Sequence, residues 1–437
     1  MSQLLRRMLT SRIAQFALYS VAFLSTLGTA KALFALMGAA HFAEYTVLFS
    51  VSLFVRIVWH NIGVSAFARF YPSADTGDGR SFLLVLLAFL ALPVLVALPA
   101  IAMMLLLGAQ VQVGELVLDQ TALTGAILLG IATGTNALIT EMDNVAFNRI
   151  RASLAMILPG LALLIAALVA GAYAMSVTAM VLLAAGLIFA VDILHLLAFL
   201  RFARRKLPQT SASSVSAAQT LAWSILAFAT PLIIWTGPAL LLRVADRWLA
   251  AAMLDLDMVA LFGIIVTLSQ NAFTAVYSVL NRAYIPDIYK HAALGTVEGV
   301  ARGHAIVTRI SLMLAGIGLL AFGIALVAGG PILSIMSEPR FAQYGWLLAV
   351  MMLGSAVYII GDCYLLHGHV VKNLKPYIPS KVLPPLLYIV LAAILANSMG
   401  VAGMVYAYLL AAIIYVAMAH VATLSLRAAQ PPLESKS

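Results

Sequence analysis

Twelve apolar runs, each long enough to cross a bilayer, follow one another along this chain with short polar joints between them. They lie near residues 13–38, 43–70, 82–108, 117–140, 152–174, 177–201, 221–251, 258–285, 303–328, 341–366, 379–399 and 401–426. A helix needs about 20 apolar residues to span the hydrocarbon core. Inside lipid every backbone polar group must be bonded within its own segment, so these runs must be helices. A barrel would show alternating strands of about ten residues instead. Hydrophobic residues make up 64% of the 437, and charged residues 9% against about 25% in soluble domains. The chain therefore reads as an all-α polytopic membrane protein of about twelve transmembrane helices, with no room for a catalytic domain outside the bilayer. Pro93, Pro99, Pro159, Pro231 and Pro238 fall within the spans, where kinks are tolerable.

Charge fixes the orientation. With the N-terminus inside, twenty of the 25 Lys and Arg residues fall on the N-terminal side of the spans. Arg340 lies in an outside loop, and Lys31, Arg56, Arg243 and Arg247 fall within spans or near their ends. This skew obeys the positive-inside rule and places both termini in the cytoplasm. The net charge of +9 suits anionic lipid headgroups rather than nucleic acid. Arg12 precedes an apolar run that continues to about Ala40, too long for a secretory signal, so it is read as a retained first span. Cys363 is the single cysteine, which excludes an intramolecular disulfide and a thiolate metal cluster.

The longest polar stretch, RRKLPQTSASSVSAAQ at Arg204–Gln219, reads as a flexible inside linker. It divides the chain into lobes at 1–203 and 221–437, joined by a linker at 204–220. An offset near 216 aligns Lys31, Met37 and Phe42 with Arg247, Met253 and Met258. Because six spans is an even number, such a repeat would be parallel.

Three stretches then carry a resemblance. They are GAAHFAEY at Gly38–Tyr45, DRWLAAAMLDLDMVALFG at Asp246–Gly263 and GVAGMVYAYLLAAIIY at Gly400–Tyr415. With six spans either side of a linker, the chain resembles the polysaccharide flippases, the O-antigen and exopolysaccharide branch of the multidrug/oligosaccharidyl-lipid/polysaccharide exporter superfamily. The resemblance implies two six-helix lobes around a central cavity. It implies flipping of an undecaprenyl-diphosphate-linked oligosaccharide across the bacterial inner membrane by alternating access, for polysaccharide and lipopolysaccharide biosynthesis. The implied partners are that lipid-linked oligosaccharide, membrane lipids and the glycan polymerase machinery. The first span has no acidic residue, a departure from the cation-coupled drug exporters of the superfamily.

Charges within spans name the candidate substrate-binding residues, because each costs roughly 2.5–3.5 kcal/mol at the bilayer centre and needs a reason. Arg56, with His60 one turn further on, presents a guanidinium fork suited to phosphate oxygens. The competing reading pairs Arg56 with an acid such as Asp192 or Asp362, for assembly alone. Arg243, Asp246 and Arg247 share one face of the seventh span. If Asp246 pairs with Arg243, Arg247 stays less neutralised. The cluster is then either a cationic gate on a helix bent at Gly237-Pro238, or a snorkelling interfacial group. Lys31 either faces Arg247 at equal depth or snorkels outward.

Asp192 and His195, three residues apart, and Asp362, with His367 and His369 beyond it, are either candidates for ion coupling or groups satisfied by interhelical hydrogen bonds. Asn136, Glu141, Asp143 and Asn144 are expected to cap the inner end of the fourth span. Gln270, Asn271, Thr274 and Ser278 form a polar stripe suited to sugar hydroxyls or to packing. No phosphate-binding loop, nucleophile elbow or metal-ligand spacing occurs, so neither an enzyme, a cofactor nor a metal site is expected. The alternatives are a cation-coupled exporter of small molecules and a membrane glycan polymerase or ligase. A polymerase or ligase would need a sizeable outside loop, and the longest expected one, Gly329–Arg340, is short.

Overall fold

In a computed structural model, residues 12–61, 63–64, 66–68, 70–71, 79–146, 148–207, 215–293, 296–371 and 373–428 are described. They form twelve long α-helices, one at each expected span. In the first half these are α1 (Arg12–Met37), α2 (Ala39–Val55), α3 (Gly79–Leu106), α4 (Gln120–Val145), α5 (Arg149–Ala172) and α6 (Val177–Lys206). In the second half they are α7 (Val215–Met253), α8 (Leu256–Ala293), α9 (Val297–Met336), α10 (Gly345–Val370), α11 (Ile378–Met399) and α12 (Val401–Ala428). Eleven membrane-spanning candidates are recognised by length and hydropathy among the described residues, and α7 stands where the seventh span is expected. The chain is an all-α polytopic membrane protein.

Local chemistry sets the helix ends. Asp119, Ser176 and Thr296 cap α4, α6 and α9 by accepting from the backbone N–H three residues on. Gly38 separates α1 from α2 at φ +86°, and Gly400 separates α11 from α12 at φ +57°, conformations that a Cβ would oppose. Both glycines open stretches that carry the flippase resemblance. The expected repeat also falls on helix ends, since α1 stops at Met37 and α7 at Met253.

One expectation about connections is corrected. Gly329–Arg340 is not an outside loop, because α9 stays helical to Met336. Its glycines serve a helix crossing: a Cβ on Gly329 would lie 2.4 Å from the Gly345 carbonyl oxygen, and one on Gly345 would lie 2.2 Å from the Gly330 nitrogen. Small residues admit this approach of two backbones in lipid. The structured excursion lies instead between α3 and α4. There β1 (Val111–Val113) pairs antiparallel with β2 (Leu116–Leu118) across a two-residue turn. At 40 residues, α9 is about 60 Å long. That is twice the hydrocarbon thickness, so its N-terminal turns with Glu298, Arg302 and His304 extend beyond the core.

Two compact units divide the chain, Met1–Ala251 and Ala252–Ser437. In the first, Phe67, Tyr71, Phe82, Leu86 and Phe199 form a core joined by Ile225 and Ala229 of α7. Trp248 Nε1 also donates to Ser50 Oγ at 2.9 Å, holding the far end of α7 against α2. In the second unit, Phe273, Val307, Ile310, Leu314, Ile359 and Cys363 pack together between α8, α9 and α10. Outward faces are apolar, as on α9, where Leu319, Leu320 and Val327 are exposed to the lipid side.

Candidate functional site

Polar side chains collect in four places. The first is a pair of rungs between α4 and α6. Asn136 Nδ2 donates to Asp192 Oδ1 at 2.8 Å. Two turns further along α4, Asp143 accepts two bonds from the Arg151 guanidinium and lies 2.8 Å from His195 Nε2. This corrects the expected cap, since the Asp143 carboxylate turns inward to a cation on α5. Asp192 and His195 each bond to a different partner on α4, the interhelical arrangement that was one of their two expected readings. Arg151, counted among the inside charges by sequence, reaches back along α5 and stacks on Phe202 with its Cζ 5.4 Å from the ring. A fully buried carboxylate compels this arrangement, since an uncompensated charge there would cost several kcal/mol.

The second place is the end of α2, which widens into a π-turn over Arg56–Asn61. Such turns add a residue to the helical circuit, re-aim side chains and recur at functional sites. His60 is buried against Gly134 of α4, where a Cβ would meet Nδ1 at 2.1 Å, and its Nε2 lies 3.4 Å from Thr135 Oγ1. Trp59 donates to the Phe89 carbonyl at 3.2 Å and stacks on the Phe89 ring, fixing the turn against α3. Arg56 is half-buried at the start of the turn. Of the two acids considered as its partners, Asp192 bonds to Asn136 and Asp362 to Lys381.

The third place is the end of α7. Asp246 and Arg247 are both buried, and Arg247 Nη1 lies 3.2 Å from Asp246 Oδ1. The same oxygen accepts from the Arg247 backbone N–H at 2.7 Å. Asp246 thus partly compensates Arg247. The expected pairing of Asp246 with Arg243 falls on a side chain that lies outside the described residues. Lys31 is half-buried on α1 at the position matching Arg247 in the expected repeat.

The fourth place is in the second unit. Asp362 Oδ1 accepts from Lys381 Nζ and from the Tyr415 hydroxyl at 2.7 Å. The ammonium also sits over the rings of Tyr415 and Tyr358, 4.8 and 5.9 Å from their centroids. Asp362 is therefore the anionic end of a buried ion pair in an aromatic cage rather than a partner of His367 and His369. His367 pairs with His304 instead, Nδ1 to Nδ1 at 2.8 Å.

Sequence reasoning missed Lys381, Tyr415 and His304. The one available signal was that Lys381 falls inside its span, behind Pro379 and ahead of Pro384. Of the expected stripe on α8, Ser278 bonds back to the Thr274 carbonyl, and neighbouring Tyr277 donates to the Asp362 carbonyl at 3.2 Å. No group of three or more His, Cys, Asp or Glu side chains among the described residues is placed to hold a metal ion.

No family model and no curated protein matches the chain. Solved structures do match. An inward-facing multidrug resistance MATE family transporter of the MOP superfamily aligns with a TM-score of 0.59 at 14% identity, over 95% of this chain and 96% of that one. The MATE multidrug transporter DinF-BH, in complex with R6G, aligns at 0.60 with 15% identity, over 95% and 94%. The lipid II flippase MurJ, in an inward closed conformation, aligns at 0.58 with 16% identity, over 94% and 87%. The chain has the fold of these transporters. At such identities the likeness extends to the fold and leaves the cargo to the chemistry of the side chains.

Proposed function

We propose that the chain flips an anionic, diphosphate-linked oligosaccharide lipid across a bacterial inner membrane by alternating access, in the service of polysaccharide biosynthesis. The observation that carries this reading is the set of cations built into the apolar helices of a transporter fold. These cations are Lys31, Arg56 and Arg247, the last with Asp246 beside it. A guanidinium on a π-turn offers a fixed two-pronged donor to phosphate oxygens. Likeness to a lipid II flippase supports a lipid-linked cargo. Moving negative charge outward also runs with an inside-negative potential, by about 2.3 kcal/mol per charge per 100 mV.

Complementation of a flippase-deficient strain tests the reading. Wild-type chain should restore surface glycan, and Arg56→Ala and Arg247→Ala should each restore less. Equal rescue by all three would refute the anchor assignments.

A second reading, a cation-coupled exporter of small molecules, is favoured by the likeness to two multidrug transporters. The span of α1 opposes it, carrying Lys31 and no acid. Transport of an organic cation by the purified protein, with no effect of lipid-linked glycan, would decide for the exporter.

A further inference from the structure

Between α4 and α6 the hydrogen-bonding atoms do not close on themselves. Asp192, His195 and Thr140 are 2%, 6% and 4% exposed. One atom of each, Oδ2, Nδ1 and Oγ1 respectively, has no hydrogen-bond partner among the described residues. Buried polar atoms are bonded as a rule, so three orphans on one helix interface ask for an occupant. Thr140 sharpens the point. Thr29, Thr133 and Thr267 donate back to the carbonyl four residues earlier, the usual refuge of a threonine in an apolar helix, whereas the Thr140 hydroxyl has no such bond.

Donor and acceptor identities follow from the neighbouring rung. Asp143 is held as an anion by Arg151, so it can only accept, and His195 Nε2 must carry the hydrogen between them. In the neutral ring His195 Nδ1 is then a bare lone pair. Asp192 Oδ1 is taken by the Asn136 amide, leaving Oδ2 as a second acceptor. Asp192 and His195 stand three residues apart on one face of α6. Two acceptors and one hydroxyl become a complete set when a single proton is added. On Asp192 Oδ2 it makes a donor, and on His195 Nδ1 it makes an imidazolium whose Nε2 side is bonded to the Asp143 carboxylate. Binding adds one proton and breaks no covalent bond.

We infer that Asp192 and His195 together bind one exchangeable proton, with Asn136 and Thr140 as its neutral cradle. The elements around this site carry these titratable and charged groups, with Glu141 following Thr140 on α4. α4 brings Asp143 and α5 brings Arg151, paired to each other. α2 places His60 and Arg56 across α4, with His60 against Gly134 and Thr135. α3 carries Arg80 in its first turn, and α7 meets the inner part of α6 with Ile225 and Ala229. The inference rests on the transport reading only for the use of the proton as a coupling ion, since binding it needs no cargo.

Infrared difference spectroscopy between acid and alkaline pH, on cargo-free protein in lipid nanodiscs, tests it. A protonated carboxyl C=O band is expected in the wild type and in Asp192→Glu. It should be lost in Asp192→Asn, which keeps an oxygen for the Asn136 amide. In His195→Gln the band should titrate at a displaced pH, because the proton's second seat is gone. A band unchanged in Asp192→Asn, or a His195→Gln titration identical to the wild type, overturns the proposal. A lost band in Asp192→Asn with glycan export still intact would leave the proton site standing and remove only its coupling role.

Discussion

Replacing Asp143 with alanine tests whether the rung between α4, α5 and α6 holds the first unit together. Asp143 is 0% exposed, and the Arg151 side chain is 24% exposed. The substitution deletes two charge-assisted bonds from the guanidinium and one from His195, and it leaves a cation facing an apolar interface. Removing one member of a buried pair costs about 3–5 kcal/mol. Because water reaches a quarter of Arg151, the lower end applies, about 3 kcal/mol, or roughly a 150-fold shift in the folding equilibrium. Equilibrium unfolding in mixed micelles would measure it, with Arg151→Ala and the double variant completing a cycle. The double variant should be markedly less destabilised than the sum of the singles, because it leaves neither charge stranded. Strictly additive losses, or an Asp143→Ala cost below about 1 kcal/mol, would refute the idea that the pair is what makes this carboxylate tolerable in the membrane.

Three further outcomes are expected. Lys381→Ala should destabilise the second unit by about 3 kcal/mol by stranding Asp362, and adding Asp362→Asn should recover part of the loss; thermal unfolding of the single and double variants checks this. Gly345→Ala should cost about 1–3 kcal/mol, because its Cβ would meet the backbone of Gly330 at 2.2 Å, whereas Gly316→Ala has open space and should be neutral or mildly stabilising. Arg340→Ala breaks the bonds to Asp257 and Glu338 at an exposed surface, so its effect on the unfolding midpoint should be small and should vanish in high salt.

The helices were legible because their cause is local: a bilayer demands long apolar runs, and the runs are contiguous in sequence. Their ends were less so, and Gly329–Gly330 shows why. Two adjacent glycines signal a break when only neighbours along the chain are considered, but here they make room for Gly345 on the next helix. The π-turn at Arg56–Asn61 was likewise invisible, since it depends on Trp59 and His60 finding Phe89 and Gly134 on other helices.

Charge pairing was the least legible feature, and it decides how the site is read. The sequence count placed Arg151 and Lys381 with the inside charges that orient the chain, and the structure spends both on buried or half-buried acids, Asp143 and Asp362. Asp246 likewise finds Arg247 beside it. Among the described residues, these three aspartates of the membrane helices each meet a basic side chain, whereas Asp192 is met by the amide of Asn136. An ion pair in lipid is expensive to separate, so Asp143 and Asp362 are committed to holding helices together, and Asp246 to compensating its neighbour on α7. A carboxyl that meets only an amide can gain or lose a proton without tearing a pair apart. That difference in partner separates Asp192 from these three aspartates, and the proposed proton site rests on it.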